Sequence, residues 1–258
     1  MAESAHFLDP EFRIDTSHLI TEDDEPLDNP FQERQQAILT DGLYTSWKGR
    51  DRFVALKNVG VFVSPQQPPV VPDVLLTLDV DLMPAETSRA YFVWEYGKPP
   101  DLVIEVVSKE PGGEGVGKLQ EYAALGVPYY IVYNPFGFRG ERVLKAFQRY
   151  GMGYLDLANP GYIPELGLGV TIWDGNYQGC PGKYLRFVDQ AGQLLLTGQE
   201  QAEQHQRMAE AAQARAEAAQ ARAEEAQAKA EEAQDRAEQE RVRAERLERR
   251  LREAGLEP

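Results

Sequence analysis

Apolar positions in the middle of the chain recur in short runs, which is the pattern of β-strands. The longest runs are residues 52–64, 68–80, 101–108 and 128–134, and shorter ones follow as VLKAFQRY, GYLDLA, GVTIWDG, KYLRFVD and QLLLTG. DLVIEVVS and PYYIVYN are almost wholly apolar, as is typical of strands that are buried on both faces. Glycine and Asn-Pro turns separate the later runs, and DQAG at 189–192 predicts a hairpin turn.

Two segments of the same region have helical periodicity instead. Between Pro30 and Trp47, apolar residues recur at helical spacing (Ile38, Leu39, Leu43 and Trp47). A glycine-rich turn at 111–117 leads into KLQEYAAL, which predicts a helix that ends at Gly126, with Pro128 beyond. Strands with helices before and among them predict an α/β fold with a mixed β-sheet flanked by helices.

The sequence changes character at Gly198. From there to Gly255 it lacks glycine and proline, and AEAAQAR-type heptads place alanine at spacings of four and three. That spacing predicts a long helix with a coiled-coil seam that joins copies of the chain into a homo-oligomer. The alternative is a solvated single helix, because alanine buries little area and makes a weak seam.

Composition divides the chain into three parts and limits its environment. Residues 1–25 form an acidic, loosely patterned arm, 26–197 a globular domain and 198–258 the heptad helix. A single cysteine, Cys180, suits a reducing compartment. The absence of a signal-peptide pattern and of an apolar run of membrane-spanning length predicts a cytoplasmic protein that does not cross a membrane. A net charge of −15 argues against a protein that coats nucleic acid by bulk attraction.

Three acidic residues stand where carboxylates are costly or well placed. Asp73 and Asp101 each follow a proline at a strand start, and Glu105 lies inside the apolar run DLVIEVVS. A buried carboxylate needs a partner or a cation. Asp101 shares a strand face with Glu105 but lies about 13 Å along the strand, too far to bind one ion with it. Asp73 on a neighbouring strand is the better partner, and two carboxylates would suit Mg²⁺ or Mn²⁺.

Lys118 opens the second helix and is the candidate for a cation near that pair. It could position the nucleophile or offset charge in a transition state, although an exposed first-turn lysine is the commoner reason for such a residue. The histidines His6, His18 and His205 lack zinc-ligand spacing. No phosphate-binding glycine loop occurs either, so nucleotide-dependent chemistry has no support.

Taken in order, VVPDVLLTLDV, PDLVIEVVS, GVGKLQEYAALGVPYYIVYNP, LGLGVTIWDG and YLRFVDQAGQLLLTGQE resemble the Uma-two family of bacterial endonucleases. That family belongs to the restriction-endonuclease-like PD-(D/E)xK superfamily. The resemblance covers residues 15–200, and a similar tail recurs in the family. It implies a restriction-endonuclease-like sheet core with extra strands and a long C-terminal helix.

The resemblance also implies roles for individual residues. Asp73 matches the first metal-binding aspartate and Glu105 the second acid. The superfamily lysine would fall at Val107, but in this family it has moved to the following helix, where Lys118 stands. Asp101 then becomes a supporting residue or strand-start cap, and Glu33 an extra acid.

The chain departs from the family pattern at two positions. Glu114 replaces the usual aspartate four residues before Lys118, and Asn134 replaces an aspartate at the end of the next strand. Neither change removes an expected metal ligand.

Two functions of different classes follow. The first is a Mg²⁺- or Mn²⁺-dependent endonuclease acting on DNA, in which Asp73 and Glu105 hold the metal ion and Lys118 positions the nucleophile. The second is a non-catalytic interaction or scaffold protein with an endonuclease-like fold that assembles through its coiled coil. The acidic charge and the repetitive tail favour the second, and the resemblance favours the first.

Overall fold

The computed structural model describes residues 30–84, 89–107, 116–138 and 142–253. The predicted acidic arm at 1–25, most of the glycine-rich turn and Glu114 lie outside these ranges. Four helices and ten strands are described, in the order α1 (Pro30–Ser46), β1 (Phe53–Lys57), β2 (Val61–Phe62), β3 (Val74–Leu78), β4 (Tyr91–Phe92), α2 (Val93–Tyr96), β5 (Leu102–Val106), α3 (Val116–Leu125), β6 (Tyr129–Tyr133), β7 (Leu144–Tyr150), β8 (Gly153–Asp156), β9 (Gly169–Tyr177), β10 (Cys180–Val188) and α4 (Gly198–Glu253).

The centre of the fold is a six-stranded mixed sheet in the order β1-β3-β5-β6-β7-β8. All neighbours are antiparallel except β5 and β6, which are parallel and are connected by α3. A parallel pair needs a crossover connection. The chain can return for β6 because α3 stops at Gly126, which has a φ of +88° that favours glycine. The predicted class, a mixed α/β sheet with flanking helices, additional strands and a long C-terminal helix, is confirmed.

The two faces of this sheet pack against different elements. On one face Leu102, Ile104 and Val106 of β5 lie in a core with α1 and the β9–β10 hairpin. On the other face Val103 packs with Leu75 and with α3. Strand alternation explains the division, since successive side chains of β5 point to opposite faces. Both faces of β5 are thus covered by packed elements.

One predicted strand is absent. The run QLLLTG makes a single bridge, between Leu194 and Val188, after the turn at 189–192. It then becomes the start of α4, where Thr197 and Glu200 form a capping box: the Thr197 N–H donates to Glu200 Oε2 at 2.9 Å, and the Glu200 N–H donates to Thr197 Oγ1 at 3.4 Å. The helix-start signal outweighs the β-propensity of three leucines.

Two compact units divide between Gln201 and Ala202. The second consists of α4 beyond that point, and no described residue of α4 is buried. Its polar side chains pair along the helix, as in Gln213 with Glu217 at 2.9 Å and Lys229 with Glu225 at 2.5 Å. Both alternatives for the tail, a coiled coil and a solvated helix, therefore stand as predictions. Within the described ranges, no helix is both long and apolar enough to cross a membrane.

Candidate active site

The sheet register brings together the two acids that the sequence pairs. Asp73 immediately precedes β3 and Glu105 lies in β5, and these strands pair antiparallel with Val74 opposite Ile104. One position further in the same register sets Asp73 opposite Glu105. Residues directly opposed in an antiparallel pair point to the same face. Glu105 lies on the face that packs against α3, and Asp73 lies beside it at the start of β3, where α1 also reaches it.

Asp73 is partly exposed and is fixed by two hydrogen bonds. The backbone N–H of Val106 donates to Asp73 Oδ2 at 2.6 Å, and Gln36 Nε2 of α1 donates to Oδ1 at 2.8 Å. The backbone N–H of Asn58 also donates to the Asp73 carbonyl at 3.1 Å. The aspartate thus links the beginning of β3, the end of β5 and α1.

Glu105 is almost wholly buried, with 3% of its side chain exposed. Tyr122 donates its hydroxyl to Oε1 at 2.5 Å, and Lys118 Nζ lies 2.9 Å from Oε2. Lys118 and Tyr122 are four residues apart on α3, so they share one helix face. Val107, where the superfamily lysine would fall, instead packs in the apolar core on this face. The ammonium group beside Glu105 comes from α3.

The electrostatics of the pair favour a proton or a cation. Burial raises the pKa of Glu105 to about 7, against the attraction of Lys118 and with the repulsion of Asp73 adding to it. Burial also raises the pKa of Asp73, although the Val106 N–H, Lys118 and Gln36 oppose the rise. The raised pKa of both carboxyl groups means that a cation shared between them would stabilise their ionised forms.

The remaining candidate acids lie elsewhere. Asp101 accepts the Leu78 N–H at 2.8 Å and pairs with Lys98 at 2.7 Å, so it joins the end of β3 to the start of β5. The role that the resemblance implied for it, a supporting residue or a strand-start cap, stays a prediction. Glu33 on α1 pairs with Lys57 at 3.5 Å, and both side chains are exposed.

Asn134 closes the turn after β6 through its side chain. Its Oδ1 accepts the Phe138 N–H at 2.9 Å, and its Nδ2 donates to the Phe138 carbonyl at 3.0 Å. An amide does both where an aspartate could only accept. The departure from the family pattern at this position therefore has a local structural reason.

Two residues that touch the acid pair were missed by the sequence analysis. Tyr122 could have been found, because it stands one helical turn after Lys118 in KLQEY. Gln36 had no comparable signal, since a glutamine in a helix is ordinarily taken for a surface residue. In α1, however, Gln32, Gln35 and Gln36 are all buried.

The oxygen atoms of this site suit a hard divalent cation. In the part of the chain that the structure describes, no group of three or more His, Cys, Asp or Glu residues could hold a metal ion. The acid pair has four carboxylate oxygens, each with a partner from the protein, and the buried Gln36 Oε1 has no hydrogen-bond donor among the described residues. Mg²⁺ is commonly held by one or two carboxylates and keeps several waters. The donor set therefore fits Mg²⁺ or Mn²⁺ without a third acid.

Comparison with known proteins gives the family to which this chain belongs. A family model described as "Uma2: Putative restriction endonuclease" matches residues 21–155, just over half of the chain. The class that this description gives is a "putative restriction endonuclease", and the matched segment contains both acids and α3. The chain belongs to the Uma2 family.

One solved structure similar to the chain is the crystal structure of "a putative nuclease belonging to DUF820 from Anabaena variabilis ATCC 29413". The two share 12% sequence identity over 54% of this chain and 73% of that chain, with a TM-score of 0.39. No curated protein matches the chain.

Proposed function

We propose that the protein is a metal-dependent endonuclease that hydrolyses DNA phosphodiester bonds at the Asp73–Glu105 pair. The observation that carries the proposal is the pair of opposed carboxylates, the partly exposed Asp73 and the buried Glu105, with the ammonium group of Lys118 2.9 Å from the glutamate. Membership of the Uma2 family supports the reaction class. A β-sheet does not need two opposed acids at the ends of neighbouring strands for its stability, which favours a functional role for this pair.

Asp73 and Glu105 would hold Mg²⁺ or Mn²⁺. When bound, such an ion supplies a more acidic water and stabilises negative charge on the phosphate. Asp73 reaches solvent, whereas Glu105 is held from behind by Tyr122 and Lys118. An incoming phosphate would therefore meet the site from the Asp73 side.

The chain's own residues orient the reactants. Lys118 is 20% exposed, so its ammonium group lies at the boundary between the buried glutamate and solvent. From there it would position the attacking water and offset the charge that develops on the phosphate. Water adds to phosphorus, the bond from phosphorus to the leaving sugar oxygen breaks, and that oxygen takes a proton. One product end carries a phosphate and the other a hydroxyl.

The net charge of −15 limits how DNA would be held. Such a charge gives no long-range attraction to the phosphate backbone, so the affinity for DNA would depend on the cation and on local contacts. Salt screens these short-range contacts less strongly than long-range ones. We therefore expect weak binding without a divalent ion.

The test is cleavage of supercoiled plasmid and of circular single-stranded DNA with Mg²⁺ or Mn²⁺. Asp73→Ala should abolish cleavage, and Lys118→Met should lower the rate by about 100-fold, the scale for losing one stabilising group. Asp101→Asn is the matched control, because this acid also belongs to the β3–β5 pair but bonds only to Leu78 and Lys98 among the contacts described above. It should retain cleavage.

Two results would reject the proposal. One is cleavage that survives in Asp73→Ala. The other is no cleavage by the wild type together with no binding of Mn²⁺ in calorimetry, which would favour the scaffold alternative.

A further inference from the structure

Helix α1 carries three buried glutamines, and one of them differs from the others in its bonding. Gln35 is fully satisfied by the backbone of Leu185, whose N–H and carbonyl it contacts at 2.9 Å each. Gln32 donates to the Val106 carbonyl at 3.2 Å. Gln36, with 1% of its surface exposed, donates to Asp73 but leaves its own oxygen without a donor.

The orientation of the Gln36 amide is fixed by its nitrogen. Nε2 donates to Asp73 Oδ1 at 2.8 Å and to Asn58 Oδ1 at 3.0 Å, so both amide hydrogens are used. A flipped amide would place an oxygen against these two acceptors. Oε1 is therefore held as an acceptor, buried and without a hydrogen-bond donor among the described residues.

A buried acceptor without a donor is unfavourable unless a group beyond the described residues satisfies it. The neighbouring groups are themselves acceptors, namely the carboxylate of Asp73 and the side-chain oxygen of Asn58. This local excess of oxygen lone pairs calls for a positively charged ligand or a water that donates. An amide oxygen is also a hard ligand of the kind that divalent cations accept.

We propose that Gln36 is part of the cation site: Nε2 orients Asp73, and Oε1 faces the bound Mg²⁺ or Mn²⁺, as a ligand or through one of its waters. This inference rests on the proposed function, since it assumes that Asp73 binds a cation. It adds a residue of α1 to a site whose other members lie beside β3, in β5 and on α3. Neither the family match nor the sequence pattern assigns this residue a role.

The test is Mn²⁺ calorimetry on the full chain with matched glutamine variants. Gln36→Met should weaken Mn²⁺ binding by about 10-fold or more, the scale for losing a supporting ligand. Gln36→Glu returns a ligand oxygen but not the amide N–H groups that orient Asp73, so it should restore only part of the affinity. Gln35→Met removes an equally buried glutamine on the same helix, so it should lower the melting temperature without changing Mn²⁺ affinity.

A second measurement needs no variant. In isotope-labelled protein, the side-chain amide resonances of Gln36 should shift on titration with Mg²⁺, while those of Gln35 stay in place. Equal Mn²⁺ affinities for Gln36→Met and Gln35→Met, or an unshifted Gln36 amide at saturating Mg²⁺, would overturn this inference and leave the proposed function standing. A wild type that binds no Mn²⁺ overturns both.

Discussion

Replacing the buried glutamate tests the electrostatics of the site without any assay of activity. Burial raises the pKa of Glu105 from 4.5 to about 7 in the folded protein. In metal-free protein, the folded chain therefore holds a proton between these pH values that the unfolded chain has lost. The contribution of Glu105 to stability is present below pH 4.5 and is lost as the pH rises through about 7.

The size of the effect follows from that interval. At about 1.4 kcal/mol per pKa unit, the rise from 4.5 to about 7 corresponds to about 3 kcal/mol of unfolding free energy. A glutamine at position 105 cannot titrate, so the Glu105→Gln variant does not lose this unfolding free energy as the pH rises. Burial, the main cause of the raised pKa of Asp73, is the same in wild type and variant, so the Asp73 contribution cancels in the difference between them.

The assay is urea unfolding of wild type and Glu105→Gln in a metal chelator, followed by tryptophan fluorescence from about pH 4.5 to about pH 8. The wild-type free energy of unfolding minus that of the variant should fall by about 3 kcal/mol over this range. Constant costs, such as the loss of the ion pair between Lys118 and Glu105 in the variant, cancel because only the slope is read. A flat difference would refute the conclusion that this carboxyl resists ionisation in the folded chain. Saturating Mg²⁺ should remove the fall, because a cation stabilises the ionised form.

Two further predictions concern the start of α4 and the tail. Arg186 is 1% exposed and donates to both carboxylate oxygens of Glu200 at 2.7 Å. Glu200→Ala should remove the counter-charge of this buried guanidinium group and lower the unfolding free energy by about 3 kcal/mol. Arg186→Met, which removes the buried charge itself, should cost less in the same urea titration, and the reverse order would contradict this explanation. Truncation after Gln201 should lower the molar mass measured by light scattering to that of a monomer if the tail is a coiled coil. A full-length chain that is already monomeric would support the solvated single helix.

The acid pair at the strands could be predicted because a buried carboxylate has a high energetic cost, and that cost is visible in the sequence. A glutamate between valines and isoleucine in DLVIEVVS is costly to bury, so its presence demanded a partner. The separation of about 13 Å along the strand then excluded Asp101 and left Asp73. The register of β3 and β5 places Asp73 opposite Glu105. The β-strand pattern likewise carried enough information for most of the sheet.

The rest depended on tertiary contacts. Gln36 is buried only because α1 lies against the end of the sheet, and no local pattern distinguishes it from a surface glutamine. The prediction of a strand over QLLLTG was wrong because the capping box of Thr197 and Glu200 begins a helix at the end of this run. Helical periodicity could have identified Tyr122 beside Lys118, but its contact with Glu105 required knowing which face of α3 meets the sheet.

The backbone hydrogen bond from Val106 to Asp73 has a consequence for how the site can change during evolution. The donor is an amide of the main chain, so any residue except proline at position 106 still supplies it. The placement of Asp73 is therefore insensitive to the chemistry of that side chain and depends on the pairing of two strands. Drift could replace the apolar neighbours one at a time and leave the distance between the acids unchanged. A single-residue insertion in β5 would instead turn Glu105 to the opposite face and dismantle the pair in one step.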